Sequence, residues 1–429
     1  MPHPSASVNA NDFTLAARCP HLAQQFDPLM PDPFPVLEAL REEAPVFYDA
    51  EHQAWFVTRH EDVMRIYGDL DTFSNAGIYP TRVPIPDVIA AKVGADYRFP
   101  TDKHLNSMDE PDHTRVRRLM SKAFTARRVK EREPEIRALA NGLIDGFEND
   151  GKVDLLARFT SPIPTGVVAM LLGTTQEVGL RFRGWVDDIF SLTGQLDLPE
   201  EVAIKHWNGL IECERWARDL IADHRENPRE DFTSFMIEAE SDDGSPSLSD
   251  DELLQQILSV LLAGSDTSSV LIAETLHRLL AVPERWQAVI DDPALIPAVI
   301  EEALRLGSPV RGLHRTVTRD VELGGVLIPA GADLYFMHKS ANRDAKVFTD
   351  PNAFNPARSE IKQHVGMGAG ARFCLGAPLA RLEARVAVET LTTRIPDLRL
   401  AADQGELEYD INMIVPILHA LNAEWTPRS

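Results

Sequence analysis

Apolar residues recur three and four positions apart through most of the chain, which is the spacing of amphipathic helices. Shorter alternating runs lie between Gly and Pro turns and are typical of strands. Helices dominate the predicted elements. The spacing predicts helices over 35–44, 60–67, 134–149, 163–172, 176–193, 200–227, 232–240, 296–306 and 379–393. It predicts strands at 46–48, 54–58, 310–316, 321–323, 326–328 and 332–337, and a hairpin around 414–419.

Two segments break these patterns. Residues 1–30 are rich in Pro, Ser and Asn and predict a loose N-terminal leader. Residues 74–107 contain four prolines and scattered apolar residues. A long irregular segment inside a compact protein is usually a functional loop or a lid, and the alternative is a plain surface excursion.

One helix is predicted to contain a polar interruption. The capping box Ser249-Asp-Asp-Glu252 begins a helix that runs to about Ala281. Residues 257–263 are apolar on nearly every side, so the middle of this helix is expected to be buried. Gly264 and Asp266 follow directly, and both destabilise a buried helix. We therefore expect a function at this point.

The charge of the chain is strongly acidic, with one local reversal. The 429 residues include 43 Lys and Arg against 66 Asp and Glu, a formal net charge of −23, which argues against a nucleic-acid-binding surface. Residues 113–130 nevertheless hold seven Lys or Arg and no acidic residue. This run is either a solvated face or a docking patch for an anionic group or an acidic partner. His113 and Arg117 share one helix face there and can reach the same carboxylate.

The chain lacks signals for export, membrane insertion or disulfide bonding. Its N-terminus has neither a basic stretch nor an apolar core of a signal peptide, and no run of about 18 apolar residues is present. Three scattered cysteines (Cys19, Cys213 and Cys374) are too few for a disulfide framework or a zinc site, which is typical of a reducing cytoplasm. Cys213 lies on an apolar helix face and is predicted to be core.

Cys374 stands in a glycine-rich stretch, and a predicted helix follows it. Gly366, Gly368, Gly370 and Gly376 surround it and allow a tight loop that approaches a bulky group closely. A helix N-terminus favours a thiolate. The cysteine is therefore either an axial ligand to haem iron or a structural or redox cysteine in a turn.

Taken in order, these motifs resemble those of the cytochrome P450 superfamily, the haem-thiolate monooxygenases, in its soluble bacterial form. The resemblance extends from about Phe34 to the C-terminus. Residues 368–376 resemble the cysteine-ligand loop, and residues 263–267 resemble the oxygen-activation kink. Glu302-x-x-Arg305 alone is an ordinary surface pair, but with Arg358 it resembles the buried Glu-Arg-Arg triad. Met367 stands where the family usually has Phe, which puts in doubt the packing and redox tuning of the thiolate.

The resemblance implies a mainly α fold with a smaller β region, a triangular prism around a buried haem b. Residues 31–429 would be a single haem domain without a fused reductase. Cys374 would bind the iron, and Asp266 and Thr267 would deliver protons while O2 is the co-substrate. The propionate contacts would be His113, Arg117, Arg315 and Arg372.

The resemblance also implies partners and a location. Electrons would come from a separate ferredoxin or flavodoxin with its reductase, docking near Arg115, Arg118 and Lys122. The protein would be a cytoplasmic monomer, without nucleic-acid or membrane partners.

The substrate is predicted only as a class. An apolar lining favours a terpenoid, aromatic or other hydrophobic small molecule, which would be hydroxylated or oxidatively dealkylated. Arg82 and Arg98 either catch a carboxylate or are surface charges. The candidate lining residues are Tyr79, Phe99, Phe190, Leu262, Val310 and Ile414.

Two other functions are open. A peroxide-driven haem-thiolate hydroxylase usually lacks an acid–alcohol pair, so Asp266 and Thr267 argue against it. A non-catalytic haem-binding sensor or carrier requires neither a proton relay nor a partner patch.

Overall fold

The structure is a computed structural model that describes residues 9–28, 30, 33–76, 83–194, 198–240, 247–405, 407–410 and 413–427. Helices make up most of it, so the prediction of a mainly α fold with a smaller β region is confirmed. The α-helices of the described residues are α1 Leu15–Arg18, α2 Pro20–Ala23, α3 Phe34–Glu43, α4 His60–Gly68, α5 Asp87–Val93, α6 Asp112–Ala123, α7 Ala126–Glu131, α8 Glu133–Asp145, α9 Pro162–Leu172, α10 Gln176–Gly194, α11 Glu200–Glu226, α12 Phe232–Glu238, α13 Asp250–Gly264, α14 Asp266–Leu280, α15 Pro283–Asp291, α16 Ile296–Gly307, α17 His338–Ala341 and α18 Ala377–Arg394.

The strands are short, and five of the twelve in the described residues belong to one sheet. They are β1 Val46–Asp49, β2 Ala54–Val57, β3 Phe73–Ser74, β4 Lys152–Asp154, β5 Leu313–Val317, β6 Val321–Leu323, β7 Val326–Ile328, β8 Asp333–Phe336, β9 Arg399–Leu400, β10 Tyr409–Asp410, β11 Ile417–Leu418 and β12 Asn422–Glu424. The chain divides into two compact units. Unit 1 comprises residues 1–78, 301–374 and 411–416, and unit 2 comprises residues 79–300, 375–410 and 417–429.

Unit 1 is built on a five-stranded sheet in the order β1-β2-β8-β5-β3. Successive residues of a strand point to opposite faces, and β2 shows this clearly. Trp55 packs in one buried cluster with Phe73 and Phe336, whereas Phe56 packs in another with Leu37 of α3. Both faces of the sheet are therefore covered, which explains the nearly continuous apolar sequence of β2.

The first 30 residues differ from the predicted loose leader. Residues 10–23 form a short 3-10 helix followed by α1 and α2. Leu15, Cys19 and Leu22 are buried against Leu37 and Leu40 of α3. Their spacing of four and three positions forms an apolar helix face, and the surrounding Pro, Ser and Asn residues obscure it. Residues 1–8 lie outside the described residues.

Unit 2 is organised around the long helix that the sequence predicts, but this helix is interrupted. The capping box is present, since the Ser249 hydroxyl accepts from the Glu252 amide (3.2 Å) and the Glu252 carboxylate accepts from the Ser249 amide (2.8 Å). Ser265 (φ −82°, ψ −70°) separates α13 from α14. Residues 250–280 are long and apolar enough to cross a membrane, yet 78% of their apolar window is buried inside the structure. A soluble protein's core helix has the same property.

The segment predicted to be irregular, residues 74–107, also contains regular structure. Pro86 precedes α5, where a proline costs little because the first amides of a helix have no intrahelical partner. Tyr97 donates to Glu214 on α11 (2.6 Å), and the Trp207 indole donates to the Pro84 carbonyl (3.3 Å). Residues 84–97 are therefore held against α11.

Candidate active site

The Cys374 loop is closed by its own backbone. The Cys374 amide donates to the Met367 carbonyl (2.7 Å), and Gly368 and Gly370 have φ of +70° and +56°. A Cβ on Gly368 would lie only 2.7 Å from the Arg372 carbonyl oxygen, so this position requires glycine. Cys374 is exposed, whereas the other two cysteines are buried. The loop therefore presents an accessible thiol.

Two buried residues that the sequence did not single out lie against this loop. The Tyr67 hydroxyl and His338 Nε2 share a hydrogen bond (2.7 Å), and a Cβ on Gly368 would come within 3.4 Å of that hydroxyl. Burial lowers the pKa of His338 to about 3 and raises the pKa of Tyr67. Both groups are thus neutral. Arg315 and Cys374 lie close enough to Tyr67 to act on its pKa, Arg315 lowering it and Cys374 raising it.

Glu302, Arg305 and Arg358 are brought together in unit 1. Arg305 makes a bidentate ion pair with Glu302 (2.7 and 2.8 Å), and Arg358 Nε lies 3.4 Å from the same carboxylate. All three side chains are buried, so this is not the surface pair that Glu-x-x-Arg forms in most proteins. Arg305 also donates to the carbonyls of Asn342 (2.8 Å) and Pro351 (2.7 Å). The triad thereby fixes an irregular segment of unit 1.

The other predicted contacts of unit 1 lie on β5 and in the cysteine loop. Arg315 is buried, donates to the His314 carbonyl (2.7 Å) and places its guanidinium 5.0 Å from the centre of the Phe336 ring. Arg372 and Val310 are partly buried. The backbone carbonyl of Ile414 accepts from the Arg311 amide (2.8 Å), next to Val310.

The junction of α13 and α14 is the open part of an otherwise buried helix. The Thr267 hydroxyl donates to the Ala263 carbonyl (2.6 Å), four residues earlier. Ala263 is exposed and Gly264 and Thr267 are partly buried, whereas residues 253–262 and 268–276 are all buried. A Cβ on Gly264 would lie 2.7 Å from Val168, so α9 packs closely here. The helix therefore exposes one turn of its surface where the sequence predicts a function.

Asp266 is a buried carboxylate in this turn. It is 7% exposed, and its Oδ2 has no hydrogen-bond partner among the described residues. Burial and the neighbouring Asp187 raise the pKa of Asp266 to about 6, although Arg183 acts in the opposite direction. A group with this pKa can both hold and release a proton near neutral pH.

A second buried acid, Glu383 on α18, was not predicted from the sequence. Burial raises the pKa of Glu383 to about 8, against the effect of a hydrogen bond with Ser268 of α14. The sequence offers only a weak signal for it, because Glu383 is one of two Glu residues in a helix that also carries Arg381 and Arg385.

The predicted propionate contacts of unit 2 lie on α6. His113 is buried with its Nδ1 2.9 Å from Glu110, and Arg117 lies one turn later, partly buried. Among the predicted docking residues, Arg118 is exposed and Lys122 donates to the Glu240 carbonyl (3.0 Å).

For the docking residue Arg115 the structure requires a correction, and part of the predicted substrate pocket lies outside the described residues. Arg115 forms an ion pair with Glu252 and is 17% exposed, so much of its charge is used internally and it is a weaker docking position than expected. Of the predicted substrate lining, Phe99, Phe190 and Leu262 are buried. Tyr79 and Arg82 lie outside the described residues.

Comparison with known proteins identifies the family. Residues 88–394 match the family model described as cytochrome P450, and the chain therefore belongs to the cytochrome P450 family of haem-iron monooxygenases, which use haem b and O2. It is 37% identical to nocardicin C N-oxygenase of Nocardia uniformis subsp. tsuyamanensis over 393 residues, 89% of this chain and 93% of the relative. It is 32% identical to the steroid C26-monooxygenase of Mycobacterium tuberculosis over 389 residues, 90% and 99% of the two chains. The structure of cytochrome P450 CREJ with (4-ethylphenyl) dihydrogen phosphate matches with a TM-score of 0.86 and 29% identity over 94% of this chain and 99% of that one.

The residues present fit a haem group. Unit 1 offers an accessible thiol in a glycine loop, with the exposed apolar Phe373 beside it. A thiolate is one of the axial ligands that haem iron takes in proteins.

Proposed function

We propose that this monooxygenase inserts one oxygen atom from O2 into a hydrophobic small organic molecule, by hydroxylation or oxidative dealkylation. One observation carries the proposal: the accessible Cys374 thiol, held in a loop that closes on the Met367 carbonyl through a 2.7 Å hydrogen bond. When bound there, haem supplies the chemistry of O2 activation, which a thiolate ligand favours by donating electron density.

The cationic residues hold the carboxylates of the cofactor. Arg117, Arg315 and Arg372 suit this role because a guanidinium is planar, always charged and able to donate two parallel hydrogen bonds. His113 adds a donor on the same face of α6 as Arg117. The burial of Arg315 supports this role, since a buried charge is retained where it has a charged partner.

Asp266 and Thr267 hold and move protons at the α13–α14 junction. The Thr267 hydroxyl donates to the Ala263 carbonyl and can accept a hydrogen bond at the same time. In the proposed relay this hydroxyl releases its own proton on the open side of the turn and takes a replacement from Asp266, which has a pKa of about 6. This pair favours an O2-dependent enzyme over a peroxide-driven one, and over a haem sensor or carrier.

The substrate class is inferred from the lining. Phe99, Phe190, Leu262, Val310 and Ile414 are apolar, which supports a terpenoid, aromatic or similar molecule. The named relatives act on unlike molecules, a nocardicin and a steroid, and so do not select one.

The remaining proposals concern the working enzyme. We infer a single haem domain over residues 31–429, onto which the segment 10–23 packs, and we infer that it works as a monomer in the cytoplasm. Its electrons come from a separate ferredoxin and reductase.

Replacing Cys374 tests the proposal. Cys374→Ser should abolish the thiolate-type band of the ferrous–carbon monoxide difference spectrum, because a hydroxyl does not supply the same electron density. Cys213→Ser is the matched control, since Cys213 is fully buried, and should keep the band. Survival of the band in Cys374→Ser would refute the assignment of the loop. NADH-dependent turnover with a surrogate ferredoxin then distinguishes an enzyme from a haem carrier.

A further inference from the structure

Three metal-ligating side chains converge in unit 1, on residues that the proposed function does not use. Cys19 lies between α1 and α2, His21 lies in α2, and Glu43 lies in the last turn of α3. The Cys19 thiol donates to Glu43 Oε2 (3.3 Å), and His21 Nε2 lies 3.2 Å from the same oxygen. The three donor atoms all lie within 4.8 Å of one another.

The cysteine is held rigidly. Its amide donates to the Leu15 carbonyl (2.7 Å), and its own carbonyl accepts from the amides of Leu22 (3.0 Å) and Ala23 (3.1 Å). Its side chain is 5% exposed and packs in the cluster that contains Leu37. His21 and Glu43 are 59% and 46% exposed, so the group is open to solvent on one side.

The spacing suits zinc. Ligand distances of about 2.3 Å to sulfur and about 2.1 Å to nitrogen and oxygen, at tetrahedral angles, place S···O at about 3.6 Å and N···O at about 3.4 Å. The observed separations of 3.3 and 3.2 Å differ from these by a few tenths of an ångström. A thiolate with an imidazole and one carboxylate selects a borderline-soft cation, whereas Ca²⁺ and Mg²⁺ prefer oxygen ligands.

We propose that Cys19, His21 and Glu43 form a Zn²⁺ site with water in the fourth position, which the scattered cysteines of the sequence did not predict. As the zinc–sulfur bond forms, the proton of the Cys19 thiol is released to solvent. The hydrogen-bonded arrangement of Cys19, His21 and Glu43 in the structure is the metal-free form of the site. The ion links the N-terminal segment 10–23 to α3. Without zinc, the Cys19 and His21 side chains both contact one oxygen of Glu43. Zinc would bind all three side chains and cross-link the segment 10–23 to α3, so it raises the free energy of unfolding of unit 1.

Zinc titration of the holoenzyme tests this site. After dialysis against a chelator, the protein should take up one Zn²⁺ in competition with a chromophoric chelator, and the bound metal should show one sulfur scatterer at about 2.3 Å by X-ray absorption. His21→Ala removes an exposed ligand without disturbing the core and should raise the Kd for Zn²⁺ at least about tenfold. It should also abolish the zinc-induced rise in Tm.

The controls separate this site from other zinc-binding groups. His52→Ala, also on unit 1, should bind zinc as the wild type does, and the carbon monoxide spectrum should be unchanged by zinc. Equal zinc binding by His21→Ala and wild type, absence of a sulfur scatterer, or loss of the haem-thiolate band on adding zinc would each overturn the proposal. The last result would show that the ion had taken Cys374 instead.

Discussion

Burial of the Asp266 carboxylate lowers the stability of the native state, and packing alone does not explain why this residue is there. A buried carboxylate without a partner on one oxygen destabilises the native state, and its pKa of about 6 keeps it partly protonated near neutral pH. In the proposed relay, Thr267 would be the immediate proton donor, because it lies beside exposed Ala263 on the open turn of the helix. Asp266 and Thr267 are thus suited to transfer a proton one after the other.

Thr267→Ala should separate proton delivery from folding. We expect product formed per NADH to fall, by up to about 10²-fold, with the electrons recovered as hydrogen peroxide, because positioned proton transfer is worth about that factor. Haem content and Tm should stay close to wild type. Thr275→Ala is the matched control, since Thr275 on α14 donates to the Leu271 carbonyl (2.7 Å) in the same way but is buried. Unchanged coupling in Thr267→Ala would exclude the relay.

At this scale the sequence singles out residues that break a local rule. Gly264 and Asp266 violate the pattern of a buried helix, and Cys374 stands among glycines, so each is visible without a structure. Tyr67 and His338 are 271 positions apart and each fits its own element. Only folding shows that they form a pair, so sequence reasoning missed them.

At the scale of elements, the helices with a long apolar stripe were predicted to within a few residues. The spacing located α8 to α12, α16 and α18, because burial of one face fixes the apolar period. Short helices were located unevenly, because four to nine residues carry few apolar positions from which to recognise the period. The spacing located α4 and α12 but missed α1, α2, α5, α7, α15 and α17. The sheet β4-β12-β9 was missed because its strands of two or three residues pair across the sequence.

The packing of α14 on α18 predicts a pH-dependent stability through Glu383. Its pKa of about 8 in the fold exceeds the ordinary value of 4.5, so the native state holds a proton that the unfolded chain releases. Its contribution to stability is therefore full below about pH 4.5 and is lost as the pH rises to about 8, by at most about 1.4 kcal/mol per pH unit.

Glu383→Gln should remove this part of the pH dependence. The amide is neutral at every pH, so the urea midpoint of the variant should fall less than that of the wild type between pH 5 and pH 8. Glu284→Gln, at an exposed glutamate in the first turn of α15, is the control and should follow the wild type. Parallel curves for Glu383→Gln and wild type would show that the buried acid is not linked to stability in this range.

At the scale of the whole molecule, the basic run contrasts with a net charge of −23. The structure divides this run into internal and exposed charges. Arg115 is paired with Glu252, so its loss would disturb the junction of α6 with α13. Arg118 is exposed, and Lys122 is partly buried and donates to the Glu240 carbonyl (3.0 Å). These two positions are the ones at which we test docking, because Arg115 serves the junction of α6 with α13.

Charge reversal at both positions tests the docking of an acidic ferredoxin. Arg118→Glu with Lys122→Glu should raise the KM for ferredoxin and flatten its dependence on salt, because each exposed charge pair contributes only about 0.2–1 kcal/mol and is screened by ions. The matched control is Lys205→Glu with Arg215→Glu, two exposed residues of α11 that change the net charge by the same amount. The haem spectrum should be unaltered in both variants. If the two double variants shift the ferredoxin kinetics equally, the effect belongs to overall charge, and residues 113–130 are a solvated face and not a docking surface.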